Sequence, residues 1–353
     1  MRQRQFLLLV TAAVAGLLAT RGESSSDTAV AANAVGLIDA EAGRVRDQVA
    51  VGTAPTSVAF GYGAVWVTNA DANTVSRVDP ENRSVRQTIP VGNSPSGIAV
   101  GAGAVWVANH DDDTVSWINP ESNTVVREIR VGHGPTAVAF DDGSLWVTNS
   151  HDRTLSRIDA HTGKVAAPRI NTGAVGRGIA VGAGSVWVTD EATRTVVQVD
   201  PASNRVTSKT TVGGGPAAVV YGHGAVWVAN ELDGTVSEID ARTLATRAVI
   251  PIAGSPSALA FGAGGLWVSD EFGERVLRID PSTRRESAAL DVGNRPKGLA
   301  VVPAAGVWVA VRASGTGHRG GRPSSWATNS TRSIRRSPTA RTPSLSSGSH
   351  TTD

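Results

Sequence analysis

The chain has 353 residues, with 33 Lys and Arg against 31 Asp and Glu, 39 Gly, 17 Pro and no Cys. The lack of Cys excludes disulfide frameworks, thiolate zinc sites, iron–sulfur clusters and Cys nucleophiles. Residues 1–32 carry +1, residues 312–353 carry +6 and residues 33–311 carry −5, so the repetitive middle lacks the basic face of a nucleic-acid binder, and no nucleic-acid partner is expected.

Arg2 and Arg4 precede an apolar run of fourteen residues at 6–19, FLLLVTAAVAGLLA. A spanning helix needs about 20 apolar residues, and positive charge ahead of a shorter run is the pattern of an export signal. Leu18-Ala19-Thr20 is a poor cleavage site and Ala29-Val30-Ala31 lies far downstream. Cleaved export and an uncleaved anchor therefore both stand. The expected location is the cell envelope, either extracellular or membrane-anchored, with residues 1–32 as signal or anchor plus linker and no other membrane contact.

From residue 33 the chain repeats. Trp66, Trp106, Trp146, Trp187, Trp227, Trp267 and Trp308 are spaced by 40, 40, 41, 40, 40 and 41 residues. Each stands in one phrase, such as VGTAPTSVAFGYGAVWVTN or VGNSPSGIAVGAGAVWVAN, and a second phrase such as TVSRVDPENRSV follows. Each unit reads as four short strands. In the first, 57–60 and 64–68 flank a Gly-x-Gly turn, whose glycines permit φ > 0. Strand 74–78 then enters the turn Asp79-Pro80-Glu81-Asn82, with Pro preset at its second position. No stretch between 33 and 311 has helical periodicity. Four strands per repeat of about 40 residues predict an all-β, seven-bladed propeller of antiparallel blades. Seven Trp-bearing hairpins are followed by only six of the second phrase; the seventh copy stands at 34–51. The N-terminal strands should therefore pair with the last blade and close the ring. The Trp side chains, each burying about 150–250 Å², are expected as wedges between blades, and Trp117 as the filler of an outer groove.

WVTN at 66–69 and 146–149, with its WVAN, WVTD and WVSD variants, resembles the YVTN-repeat propellers over roughly 33–311. The unit is also similar to that of the streptogramin B lyases, seven-bladed enzymes that open a cyclic depsipeptide with a divalent cation. That resemblance implies catalytic His and Glu near the central channel, in a phrase closer to WFTE. Here the fourth positions are Asn69, Asn109, Asn149, Asp190, Asn230, Asp270 and Val311. Similar propellers also stand between a membrane segment and a solute-binding module, which implies a sensor role in a transport assembly.

Residues 312–353 contain 17 Ser or Thr and almost nothing apolar, so no core can form there. The segment reads as a disordered tail or a misread frame.

The loops after the Trp strands share one face with the loops entering each blade, and that face is acidic: Asp71, Asp111 to Asp113, Asp152, Glu191, Glu231, Asp233, Glu271 and Glu274. His110, His133 and His151 fall on it from adjacent blades. The candidate ligand-binding set is His110, Asp111, Asp113, His133, His151, Asp152 and Arg177. Oxygen ligands with imidazole suit a divalent cation such as Mg²⁺ or Ca²⁺, while Asp and Asn at turn starts equally serve to bond their own backbone. Arg177, with Arg295 and Lys297, would offer an anion positive charge at the channel mouth or else enter a salt bridge. Other motifs lack their context: Gly101-Ala102-Gly103 opens no helix, Ser150-His151-Asp152 are sequence neighbours and no triad, and Asp111-x-Asp113-x-Val115 breaks the calcium-loop pattern. The expected protein is a monomeric, non-catalytic binding module meeting a protein partner or small ligand at its acidic face; a metal-dependent lyase and a transport sensor are the alternatives.

Overall fold

The computed structural model describes residues 29–166, 168–303 and 305–314, and every regular element among them is a β-strand. The expected signal or anchor and the Ser/Thr-rich tail lie largely outside the described residues. Seven four-stranded antiparallel sheets follow one another. Blade 1 is Pro55–Gly61, Ala64–Asn69, Thr74–Asp79 and Ser84–Pro90, and the first three strands run a residue or more past the sequence expectation. Pro55 pairs with Asn69 and the register then shifts before Val58. The first strand of every blade adjoins the first strands of its neighbours and is innermost. In the last blade, Arg295–Val302 and Gly306–Arg312 pair with Ala34–Asp39 and Arg44–Ala50. Leu37 stands opposite Trp308 in this closure. Val30, fully buried, adds a bond from its N–H to the Val292 carbonyl (2.7 Å).

The seven Trp are at most 1% exposed. Each packs with aliphatic residues on the second strand of the following blade: Trp66 with Val105 and Val107, Trp227 with Leu266 and Val268, and Trp308 with Val65 and Val67. The apolar seam thus runs around the whole ring without disulfides. Five indole N–H groups donate to the carbonyl of a Gly five residues earlier, as Trp66 does to Gly61 (3.0 Å). In the last blade Pro303 stands where these blades have that Gly, and Trp308 Nε1 has no partner among the described residues. The third strand covers the outer side of the Trp. Arg77 and Arg157 lie over Trp66 and Trp146 at 5.2 and 4.8 Å, and Trp117 takes the same place against Trp106 at 4.8 Å. Trp117 is therefore a half-buried filler, as its position suggested. The outer turns also form as read: Asp79 accepts from Glu81 N (2.8 Å) and Asn82 N (3.1 Å), and these bonds, Asn82 foremost, hold its carboxyl well below the usual range.

Candidate functional site

The loop face is built on a row of buried pins. Asn69, Asn109, Asn149 and Asn230 end their strands fully buried. Each amide donates to a Thr and a Ser of the third strand, as Asn69 does to Thr74 (3.1 Å) and Ser76 (3.0 Å). The Val-Gly that enters each of these blades exists for this pin, since a Cβ on Gly52 would fall 2.7 Å from Asn69. Asp270 takes the same place in blade 6 and accepts from Ser255 N (2.7 Å), Gly273 N (2.9 Å) and Arg275 (2.8 Å).

Several loop carboxylates bond the backbone of the entering loop, Asp152 in addition to Thr154 of its own turn (2.8 Å). Asp112 accepts from Asn93 N (2.6 Å), Asp152 from His133 N (3.0 Å) and Asp233 from Gly214 N (2.7 Å). The two loops of a blade run side by side, so a short side chain reaches the neighbouring backbone. Asp113, at φ 58°, accepts from Gly134 N (2.9 Å) and from His133 Nδ1 (2.6 Å). The Gly134 bond is the main cause that holds the Asp113 carboxyl below its ordinary value; burial opposes it and His133 assists.

Six of the seven residues singled out from sequence line one pocket of about 420 Å³: His110, Asp111, Asp113, His133, His151 and Asp152. The His110 and His151 rings meet edge to face at 4.9 Å. His110 Nδ1 lies 3.3 Å from the Pro135 carbonyl, to which it must donate, and His133 Nδ1 is held by Asp113. In both rings Nε2 is the nitrogen left for a ligand. Asp111 accepts from Ser94 Oγ. Among the described residues no group of three His, Asp or Glu side chains is placed to hold a metal ion. A cation here would take much of its shell from water or ligand.

Arg177 lies elsewhere, in the central channel. Three residues from the inner strand of each blade, or from just before it in blade 4, line that cavity of about 380 Å³. Its outermost ring is Thr56, Ser96, Thr136, Arg177, Ala217, Ser257 and Lys297. Both of its charges are matched. Arg177 Nη1 is 2.7 Å from Glu231 and 3.8 Å from Glu191, so the salt bridge is the outcome found. Glu271, 1% exposed, receives both Lys297 and Arg295. Burial alone would raise the Glu271 carboxyl; Lys297 and Arg295 outweigh it and hold it low. Glu231 and Glu271 were read only as loop acids. Their register identifies them better: with Glu191 they occupy the place just after the strand-ending pin, where blade 2 has His110.

Residues 45–318 match the model of the virginiamycin B lyase family. A search of curated proteins finds no match. Among solved structures, hydrazine synthase from Kuenenia stuttgartiensis is similar, with TM-score 0.66 and 18% identity over 74% of this chain and 94% of that one. Virginiamycin B lyase from Staphylococcus aureus gives TM-score 0.64 and 18% identity over 73% and 92% of the two chains. A streptogramin B lyase gives 0.65 and 16% over 74% and 91%. At these identities the likeness to the solved structures is one of fold.

Proposed function

The chain belongs to the virginiamycin B lyase family, and on that premise we propose that it is an exported propeller of the cell envelope that binds a ligand on its loop face without cleaving it. The carrying observation is that three carboxylates around the channel are already engaged, with Glu191 left at 3.8 Å from Arg177. Glu271 is paired with Lys297 and Arg295, Glu231 with Arg177, and Asp270 is buried under two amides and Arg275. A carboxylate ion-paired to a cation is a weaker general base, because the pair favours its charged form. The imidazoles with an open Nε2 instead line the pocket of blades 2 and 3, where a small ligand or a partner's side chain with hydrogen-bond donors would find acceptors.

Lyase activity is the second reading, favoured by the family itself and by His110 sharing the register of Glu231 and Glu271 around one channel mouth. Chromatography of a streptogramin B depsipeptide incubated with the protein and Mg²⁺ separates the two. We expect the cyclic compound to elute unchanged, while cell-wall fragments raise the melting temperature. A ligand at 100 times its Kd adds about 2.7 kcal/mol. Appearance of the linear product would overturn the binding reading.

A further inference from the structure

We propose that the cleft between blades 3 and 4, on the outer flank of the ring, is a binding site for an oxyanion, a phosphate or carboxylate group held by Arg157, Arg169 and Arg205. The cleft has a local cause. Six blades have an outer strand of six or seven residues, but in blade 3 it shrinks to Ile170–Asn171. Among the described residues only Thr154 and Leu155 of the third strand find ladder partners there, with one isolated bridge from Ile158 to Val165 and single backbone bonds from Ala166 N to Arg157 O (2.8 Å) and Asp159 N to Lys164 O (2.9 Å). Pro168, which has no N–H for a ladder, stands just before the remnant. It belongs to one of the two repeats that are 41 residues long. The flank consequently opens into a cavity of about 580 Å³.

The chemistry of that cavity opposes the charge of the ring around it. Arg157, Arg169, Arg205, Asn171, Asn204 and Ser203 supply its polar lining, and no carboxylate lines it. Residues 160–174 and 201–218, which supply the cavity lining apart from Arg157, contain no Asp or Glu, although Asp159 and Asp200 directly precede them. The two stretches hold two of the chain's three lysines, Lys164 and Lys209, in a region 33–311 whose net charge is −5. Lys209 Nζ lies beside Gly173.

Arg157 is fixed before any ligand arrives. It lies over Trp146 and donates to Ser144 Oγ (3.1 Å), the Pro201 carbonyl (2.7 Å) and Asn204 Oδ1 (3.2 Å). Arg169 donates to the Val131 carbonyl (3.2 Å) and forms a loose ion pair with Asp152 at 3.7 Å, at a half-exposed position where an oxyanion can compete for it. Arg205 is exposed on the opposite wall. Arg169 and Arg205, from two blades, can each offer an oxyanion N–H bonds, while Arg157, whose Nε and Nη1 are already bonded, adds its fixed charge and Nη2.

Calorimetric titration of the full chain with inorganic phosphate, and separately with citrate, at constant ionic strength tests this. The variants are Arg169→Ala, Arg205→Ala and their double. Arg285→Ala, the same register in blade 6, is the control. We expect binding by wild type and control, a roughly tenfold loss in each single variant and none in the double, whose melting temperature should stay near wild type because both side chains are exposed. Phosphate alone producing heat would assign a phosphate group, citrate alone a carboxylate. Equal binding by every variant, or no heat from either probe, would overturn the proposal.

Discussion

Blades 2 and 3 and blades 5 and 6 carry the same loop after the same Trp strand, yet they handle charge in opposite ways. In blades 5 and 6 the residue after the pin is Glu231 or Glu271, and each is neutralised by a cation from another blade or loop, Arg177 or the pair Arg295 and Lys297. In blades 2 and 3 the same place holds His110 and Ser150, and the carboxylates Asp112, Asp113 and Asp152 turn to backbone amides instead. An amide bond satisfies a carboxylate without importing a cation, so this half leaves its imidazoles open to solvent. A matched ion pair satisfies both charges and leaves nothing for a ligand. One backbone phrase therefore yields a closed electrostatic seam on one side of the channel and an open pocket on the other.

The sharpest break of that contrast is Glu271→Gln. It leaves Arg295 and Lys297 facing a neutral amide beside a buried position. Removing one partner of a buried pair costs about 3–5 kcal/mol; with both cations partly exposed, about 2 kcal/mol is expected. Denaturant unfolding should show the midpoint falling with an unchanged slope. A change under about 0.5 kcal/mol, the ordinary surface effect, would mean that the seam holds nothing. Glu271→Gln with Lys297→Met should recover part of the loss.

The period made the fold legible. Seven Trp at 40 or 41 residues fixed the blade count, and the displaced second phrase at 34–51 located the closure, because both signals are local and repeated. The histidine pocket could be foreseen for the same reason: His110 and His151 lie one repeat and one residue apart, so adjacent blades present them together. Cross-blade partners were harder to read. Arg177 meets Glu231 across 54 residues, a separation that no local pattern encodes, and its pairing depends on the direction in which each strand leaves the channel. The short outer strand of blade 3 was written in Pro168 and in the 41-residue spacing, but an insertion does not say which strand absorbs it.

Asp113→Asn sharpens the comparison at moderate cost. It removes the charge that orients His133 and weakens the bond from Gly134 N, for about 1 kcal/mol. Its pH dependence has a definite sign. The folded carboxyl is held below its unfolded value, so its stabilisation is complete above that unfolded value and is lost as pH falls through the folded one. The stability gap between wild type and Asp113→Asn should close as pH falls through the folded carboxyl value. A gap that instead widened in acid would mean that Asp113 is not the group stabilised.

The smallest effect on stability bears most directly on function. His151 and Phe272 occupy the same register in blades 3 and 6, and both are exposed. His151 gives up an edge contact with His110 on truncation, and Phe272 a face that Arg295 covers at 4.9 Å. Exposed contacts of either kind are worth about 0.5–1 kcal/mol, so His151→Ala and Phe272→Ala should melt close to wild type and close to each other. They should part in binding. If the open half of the loop face is the recognition surface, a ligand found by thermal shift loses affinity in His151→Ala and keeps it in Phe272→Ala. The reverse result would move recognition to the closed seam, where a ligand would have to displace an ion pair in order to bind.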